Sequence, residues 1–207
     1  MSDRSNASQA MQAVALIHGR NASMQWGFFP TVARYLANVS FDVIPIDLPS
    51  ELPSVCVDYV HETLAPLHNR IVHFIGHSRG GAIAQIVANE RNVTAESVVV
   101  WAGIGKWIRS RFDMGTPPAD DVMMNAKRLD LVHAASGLRG RVLYLHAQAD
   151  LTVNEREIRQ LVQQAENEKA LHVFAGSTHT FGITHPMTQT TGTFDTALSM
   201  TLDFLQS

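Results

Sequence analysis

The run Gly76-His77-Ser78-Arg79-Gly80-Gly81 follows a mostly apolar stretch, 71–75, and leads directly into a helical pattern over 80–91. A serine with glycine two positions away on either side, set between strand and helix, is the arrangement that exposes a hydroxyl on a sharp turn. Small neighbours are needed there, because the strained backbone leaves no room for side chains. Residue frequencies alone give a chance G-x-S-x-G roughly 0.05 times in this chain, so the flanking strand and helix carry the argument. Ser78 is therefore the candidate nucleophile. The N-terminal amides of the helix that follows would point at the charge developing during attack.

A serine hydroxyl attacks only when a base takes its proton, and the base needs an acid to hold its tautomer. Ten histidines are available. His73 and His172 lie inside apolar runs and read as packing residues, His77 is the variable position of the elbow, and His18 before Gly19 reads as loop-shaping. His179, in Gly176-Ser177-Thr178-His179 just past the last apolar run, is the expected base, with His146 and His185 as competitors. Asp150 follows the run 142–145 and is the expected acid. Asp47 is similarly placed but precedes Ser78, whereas Ser78, Asp150, His179 is the chain order this chemistry uses on an α/β sheet. Asp120, Asp121 and Asp130 read as solvated charges. The backbone N–H of Arg79 is the expected first oxyanion donor. The second is expected from Arg20, with Gly19 behind it allowing close approach. The side chains of Arg20 and Arg79 read either as surface charges or as attractors of an anionic substrate.

These residues need a scaffold that brings strand ends together. Six short apolar runs, 13–17, 43–46, 71–75, 98–101, 142–145 and 171–174, are continuous rather than alternating, as strands buried on both faces are. Helical patterns separate most of them, at 26–38, 55–68, 80–91, from Asn154 to 165, and at 196–205. Asn154 and Glu157 have the spacing of a helix cap and its third residue. Strands alternating with helices imply the α/β class, with a parallel sheet covered on both faces. Pro45 cannot donate to a ladder, so the 43–46 strand belongs at or near an edge. Residues 103–139 interrupt the rhythm with a Gly-Thr-Pro-Pro turn at 115–118 and a helical candidate over 120–133.

Composition narrows the function. Of 207 residues, 45% are hydrophobic and 17% charged, which fits one α/β domain, 1–207, with a disordered lead over about 1–12. Sixteen Lys and Arg against 19 Asp and Glu, with no basic run, argue against nucleic acid or an anionic membrane. No apolar stretch approaches the length of a membrane span. Cys56 is the only cysteine, so no disulfide framework or multi-cysteine metal site is expected, and a cytoplasmic location is the simplest. No cofactor is expected.

LIHGRN at 16–21, DLP at 47–49, GHSRGG at 76–81, HAQAD at 146–150 and GSTH at 176–179 together resemble the α/β-hydrolase superfamily, particularly its small esterase-like and dienelactone-hydrolase-like members. The resemblance runs from the first strand to the last. It implies Ser78 as nucleophile, Asp150 as acid, His179 as base, and a small cap formed by 103–139. Two departures shape it further. Dienelactone hydrolases use a cysteine nucleophile where this chain has Ser78, and the usual first two strands have no room before Ala13, so the sheet is a shortened one of about six strands. The implied activity is a serine hydrolase acting on a carboxylic ester or related small acyl compound. A thioesterase, a peptidase or a non-catalytic binding member of the fold are the alternatives, and a lyase or cofactor-free haloperoxidase would use the same triad. Trp107, Met114, Met123 and Met124 could line an acyl pocket or fasten the cap. So short a chain leaves space only for a small cap, hence an open site and a small or flexible substrate.

Overall fold

The computed structural model describes residues 12–90, 94–108, 114–165 and 169–207. Most of the expected lead, Arg91 at the end of the 80–91 helix and residues 109–113 of the 103–139 interruption lie outside these. Six strands, β1 (Ala13–Ile17), β2 (Asp42–Ile46), β3 (Ile71–His77), β4 (Thr94–Trp101), β5 (Arg141–Ala147) and β6 (Lys169–Phe174), form one sheet in the order β2-β1-β3-β4-β5-β6. Every neighbouring pair is parallel. β2 is an edge strand and its Pro45 is exposed, so the missing N–H costs no ladder bond.

Burial on both faces explains the unbroken apolar runs. In β1, Ala13, Ala15 and Ile17 enter one core while Val14 and Leu16 enter the other. The first core is completed by α2 (Pro53–Leu64), α3 (Arg79–Asn89), α5 (Leu131–Gly137) and α6 (Glu155–Gln164). The second is completed by α1 (Phe29–Asn38) and α7 (Gly192–Gln206), with Trp101 wedged between Phe28, Phe181 and Phe194.

Several boundaries differ from the sequence reading for local reasons. α1 starts at Phe29 rather than 26, because 23–29 closes as turns (Trp26 N to Ser23 O 3.0 Å, Phe29 N to Trp26 O 3.1 Å) and proline suits the first helical turn. The helical candidate at 120–133 is two helices, α4 (Pro117–Met124) and α5. Asp130 is exposed as expected, and it starts the second as a helix cap by accepting from Val132 N at 2.9 Å and His133 N at 3.0 Å. Asp121, by contrast, is not a solvated charge: it is buried, and it accepts from Ser54 N at 2.8 Å and Ser54 Oγ at 2.5 Å, fastening α4 to α2.

Asn154 caps α6 by accepting from Arg156 N at 2.9 Å. Glu157 does not fold back on that cap; it turns to accept from Gly105 N at 2.9 Å and Lys106 N at 3.2 Å, tying the chain after β4 to α6. His172 is exposed on edge strand β6, where its ring meets Phe174 edge-on. His73 is buried at β3 and holds Ser97 Oγ of β4 at 2.8 Å.

Candidate active site

The chain leaves β1 toward β2 on one side and β3 toward β4 on the other, so the carboxyl ends of β1 and β3 open a crevice. Ser78 stands there at the junction of β3 and α3. Its φ of 55° and ψ of −120° are rarely tolerated outside glycine, and they mark a strained turn. Ser78 N donates to Trp101 O at 2.8 Å, and Gly81 N donates to Ser78 O at 3.1 Å. The glycines are sterically required. A Cβ on Gly76 would lie 2.4 Å from Gly80 O, and one on Gly80 would lie 2.3 Å from Ile17 O. The elbow is thus pressed against the end of β1.

Asp150 follows β5, and its side chain is withdrawn from solvent. Its Oδ1 accepts from Thr152 N at 2.7 Å and Val153 N at 2.8 Å, while Oδ2 faces His179 Nδ1 at 2.7 Å. Burial alone would raise its pKa; the bonds from His179, Val153 and Thr152 outweigh it and hold the carboxyl below its ordinary value. An ionised carboxylate only accepts, so the proton sits on His179 Nδ1, leaving Nε2 as a free acceptor. Among the described residues, neither His179 Nε2 nor Ser78 Oγ has a hydrogen-bond partner. Such bonds are often long before substrate binds.

The competing histidines have other partners. His185 Nδ1 accepts from Gly27 N at 3.0 Å, and its ring stacks on Trp26. His146 is fully buried, and its Nε2 donates to Val153 O at 3.1 Å, which steadies the loop that cradles Asp150. His18 spans the loops after β1 and β2 by accepting from Leu48 N at 2.9 Å.

Arg79 is the first helical residue of α3, so no intrahelical carbonyl claims its N–H. Gly19 lies against Ser78: a Cβ there would be 3.1 Å from Ser78 Cβ. Arg20 is exposed beside it. Both arginine side chains are engaged by one carboxylate, since Glu51 Oε2 accepts from Arg20 Nε at 2.9 Å and Arg79 Nη1 at 3.2 Å. Sequence reasoning missed Glu51, for which no motif gave a signal. It also passed over His77, whose cue was a polar residue at the end of a mostly apolar strand.

A concavity of about 580 Å³ opens at the other end of the sheet, lined by Gln12, His73, Glu96 and Arg141 among others, and it contains none of these groups. Met114, Met123 and Met124 are exposed, and Met124 borders a hollow beside Glu90 and Arg128. Trp107 is half-buried and donates to Leu129 O at 2.8 Å, within the interruption itself. Among the described residues no helix is long and apolar enough to cross a membrane.

Strand order, elbow and a histidine–carboxylate pair at one sheet end define a class, and the sequence profile of the Alpha/beta hydrolase family matches residues 14–180. The chain belongs to that family. Est1E from Butyrivibrio proteoclasticus superposes with a TM-score of 0.73 at 12% identity, covering 95% of this chain and 89% of that one. A dienelactone hydrolase from Anabaena variabilis gives 0.72 at 18%, covering 96% and 87%. The esterase Est2 from Thermogutta terrifontis, solved with butyrate bound, gives 0.68 at 18%, covering 95% and 83%. At these identities the likeness is one of fold. No curated protein matches the sequence.

Proposed function

We propose that this chain is a serine hydrolase that cleaves a carboxylic ester or related small acyl substrate through an acyl-enzyme intermediate. The observation that carries the reading is the His179–Asp150 bond of 2.7 Å at the sheet end where Ser78 occupies its strained turn. Ser78 Oγ attacks the acyl carbon as its proton passes to His179 Nε2. Asp150 stabilises the imidazolium, and His179 then protonates the departing alkoxide. Water attacks the acyl-enzyme, giving its proton to His179, and the acid leaves as Ser78 is restored. The N–H of Arg79 and one from Gly19–Arg20 hold the tetrahedral oxyanion, the close approach of Gly19 to Ser78 being what supports that loop's role. No step requires a cofactor.

The two arginines share Glu51, which compensates one of their two positive charges. Of the 103–139 cap, Gly103 approaches Ser78, a Cβ there lying 3.9 Å from Ser78 O, while α4 and α5 belong to the helical layer with α2, α3 and α6. This favours an open site and a small or flexible substrate. Cys56 is the only cysteine of the chain, so no internal disulfide is possible, which fits a reducing, cytoplasmic setting. Esters, thioesters and amides of graded acyl length, assayed on wild type and Ser78→Ala, test the reading. Ester turnover that Ser78→Ala abolishes supports it; preferred thioester or amide cleavage would redirect it to a thioesterase or peptidase. No turnover of any acyl compound would sink it in favour of a binding role.

A further inference from the structure

The base of the proposed triad is held at two points. Asp150 grips its ring; the second grip comes from the residue that precedes the nucleophile. His77 Nε2 lies 3.0 Å from the backbone carbonyl oxygen of His179 across 102 residues of chain, and the two rings are 4.7 Å apart. A carbonyl only accepts, so His77 donates and its proton sits on Nε2. The residue is 6% exposed, with Phe28 at 5.2 Å and Phe29 at 6.3 Å meeting its ring edge-on. His179 itself lies in the loop after β6, and loops hold position less well than strands do.

We infer that His77 is a positioning residue, which by donating to the carbonyl of His179 sets the distance between the base and the nucleophile next to it in the chain. The inference rests on the serine-hydrolase reading and deepens it. Because His77 and Ser78 are joined by one peptide bond, fixing His179 to His77 fixes it to Ser78. The device works only if His77 stays neutral, since a cation there would oppose the imidazolium that His179 becomes. The groups facing it are His179 and Asp150 from the loops after β6 and β5, and His18 from the loop after β1. Burial first, then the neighbouring His179, holds the pKa of His77 down to about 3. His77 is uncharged at neutral and mildly acidic pH.

The test compares His77→Phe, which fits the apolar wall but cannot donate, with His77→Gln, whose amide can. Misplacing a reacting group by about 1 Å costs on the order of a hundredfold, so His77→Phe is expected to lower kcat about tenfold to a hundredfold with KM little changed. The acid limb of kcat/KM moves to lower pH as the imidazolium loses its hold on Asp150, and His77→Gln recovers most of both. Wild-type kcat and pH profile in His77→Phe would overturn the inference, as would loss in proportion to Tm in both variants.

A second readout needs no turnover and so separates this inference from the hydrolase reading. In Ser78→Ala, the downfield proton shared by His179 and Asp150 is observed by NMR, with His77 as the Nε2–H tautomer. Adding His77→Phe broadens or removes that proton; adding His77→Gln keeps it. An Nδ1–H tautomer for His77, or an undisturbed proton in the Phe variant, overturns the inference even if wild type hydrolyses esters. If His77→Phe does not fold, the tautomer and the Gln variant still decide. Failure of wild type to hydrolyse any acyl compound would remove the reaction while leaving the NMR result to judge the positioning.

Discussion

Asp150 Oδ2 and His179 Nδ1 meet at 2.7 Å although 29 residues separate them in the chain. The loops after β5 and β6 are brought together by backbone bonds as well: Ala149 N donates to Ser177 O at 2.8 Å, and Gln148 N to Phe174 O at 3.0 Å. The pair is therefore built by two adjacent parallel strands ending at the same level, with Asp150 held in addition by the backbone N–H groups of Thr152 and Val153.

This pairing separates His179 from its rival. His179→Ala is expected to lower kcat by about four to six orders of magnitude, as removing a triad member does, with the circular-dichroism spectrum unchanged. His185→Ala removes only the bond from Gly27 and the stacking on Trp26, so its kcat stays within a few-fold while Tm falls. Reversed effects on kcat would identify His185 as the base.

Acid stability follows from the buried imidazoles. Burial lowers the pKa of His73, His77 and His146 from the ordinary 6.5, and His77 reaches about 3. Between those values the unfolded chain binds protons that the fold refuses, so stability is complete above about pH 6.5 and is lost as pH falls. The depressed Asp150 adds a further loss below its ordinary 3.8. The urea midpoint is expected to decline steadily from pH 7 to pH 4, and less so in His77→Gln. A midpoint flat over that range contradicts the burial of these rings.

The elbow tolerates no added methyl at its tightest point. A Cβ on Gly80 would lie 2.3 Å from Ile17 O, and backbone at the end of a central strand cannot move aside cheaply. Gly80→Ala is expected to destabilise the fold by about 1–3 kcal/mol or more, read from denaturant unfolding, with activity lost as β1 and the Gly19 loop shift. A stable, fully active variant would mean that α3 and β1 are not pressed together.

The sheet was legible because residues buried on both faces form continuous apolar runs, and Pro45 marked the edge through the N–H it lacks. Ser78 was legible because a strained turn restricts its neighbours to glycine. Asp150 and His179 could be ranked by strand ends, but His185 stayed in contention because sequence does not show which loops meet. His77 and Glu51 act through contacts 102 and 28 residues away in the chain, and no spacing rule reaches that far. Asp121 was misread because acidic residues in a polar stretch usually face water, whereas this one satisfies the start of α2.

The central claim is that Ser78 attacks an acyl or phosphonyl centre. Treating the purified protein with a fluorophosphonate and mapping the adduct by tandem mass spectrometry tests it most directly. The expected result is stoichiometric modification of the peptide bearing Ser78, slowed strongly in His179→Ala and absent in Ser78→Ala. An unmodified protein, or an adduct on any other serine, would contradict it.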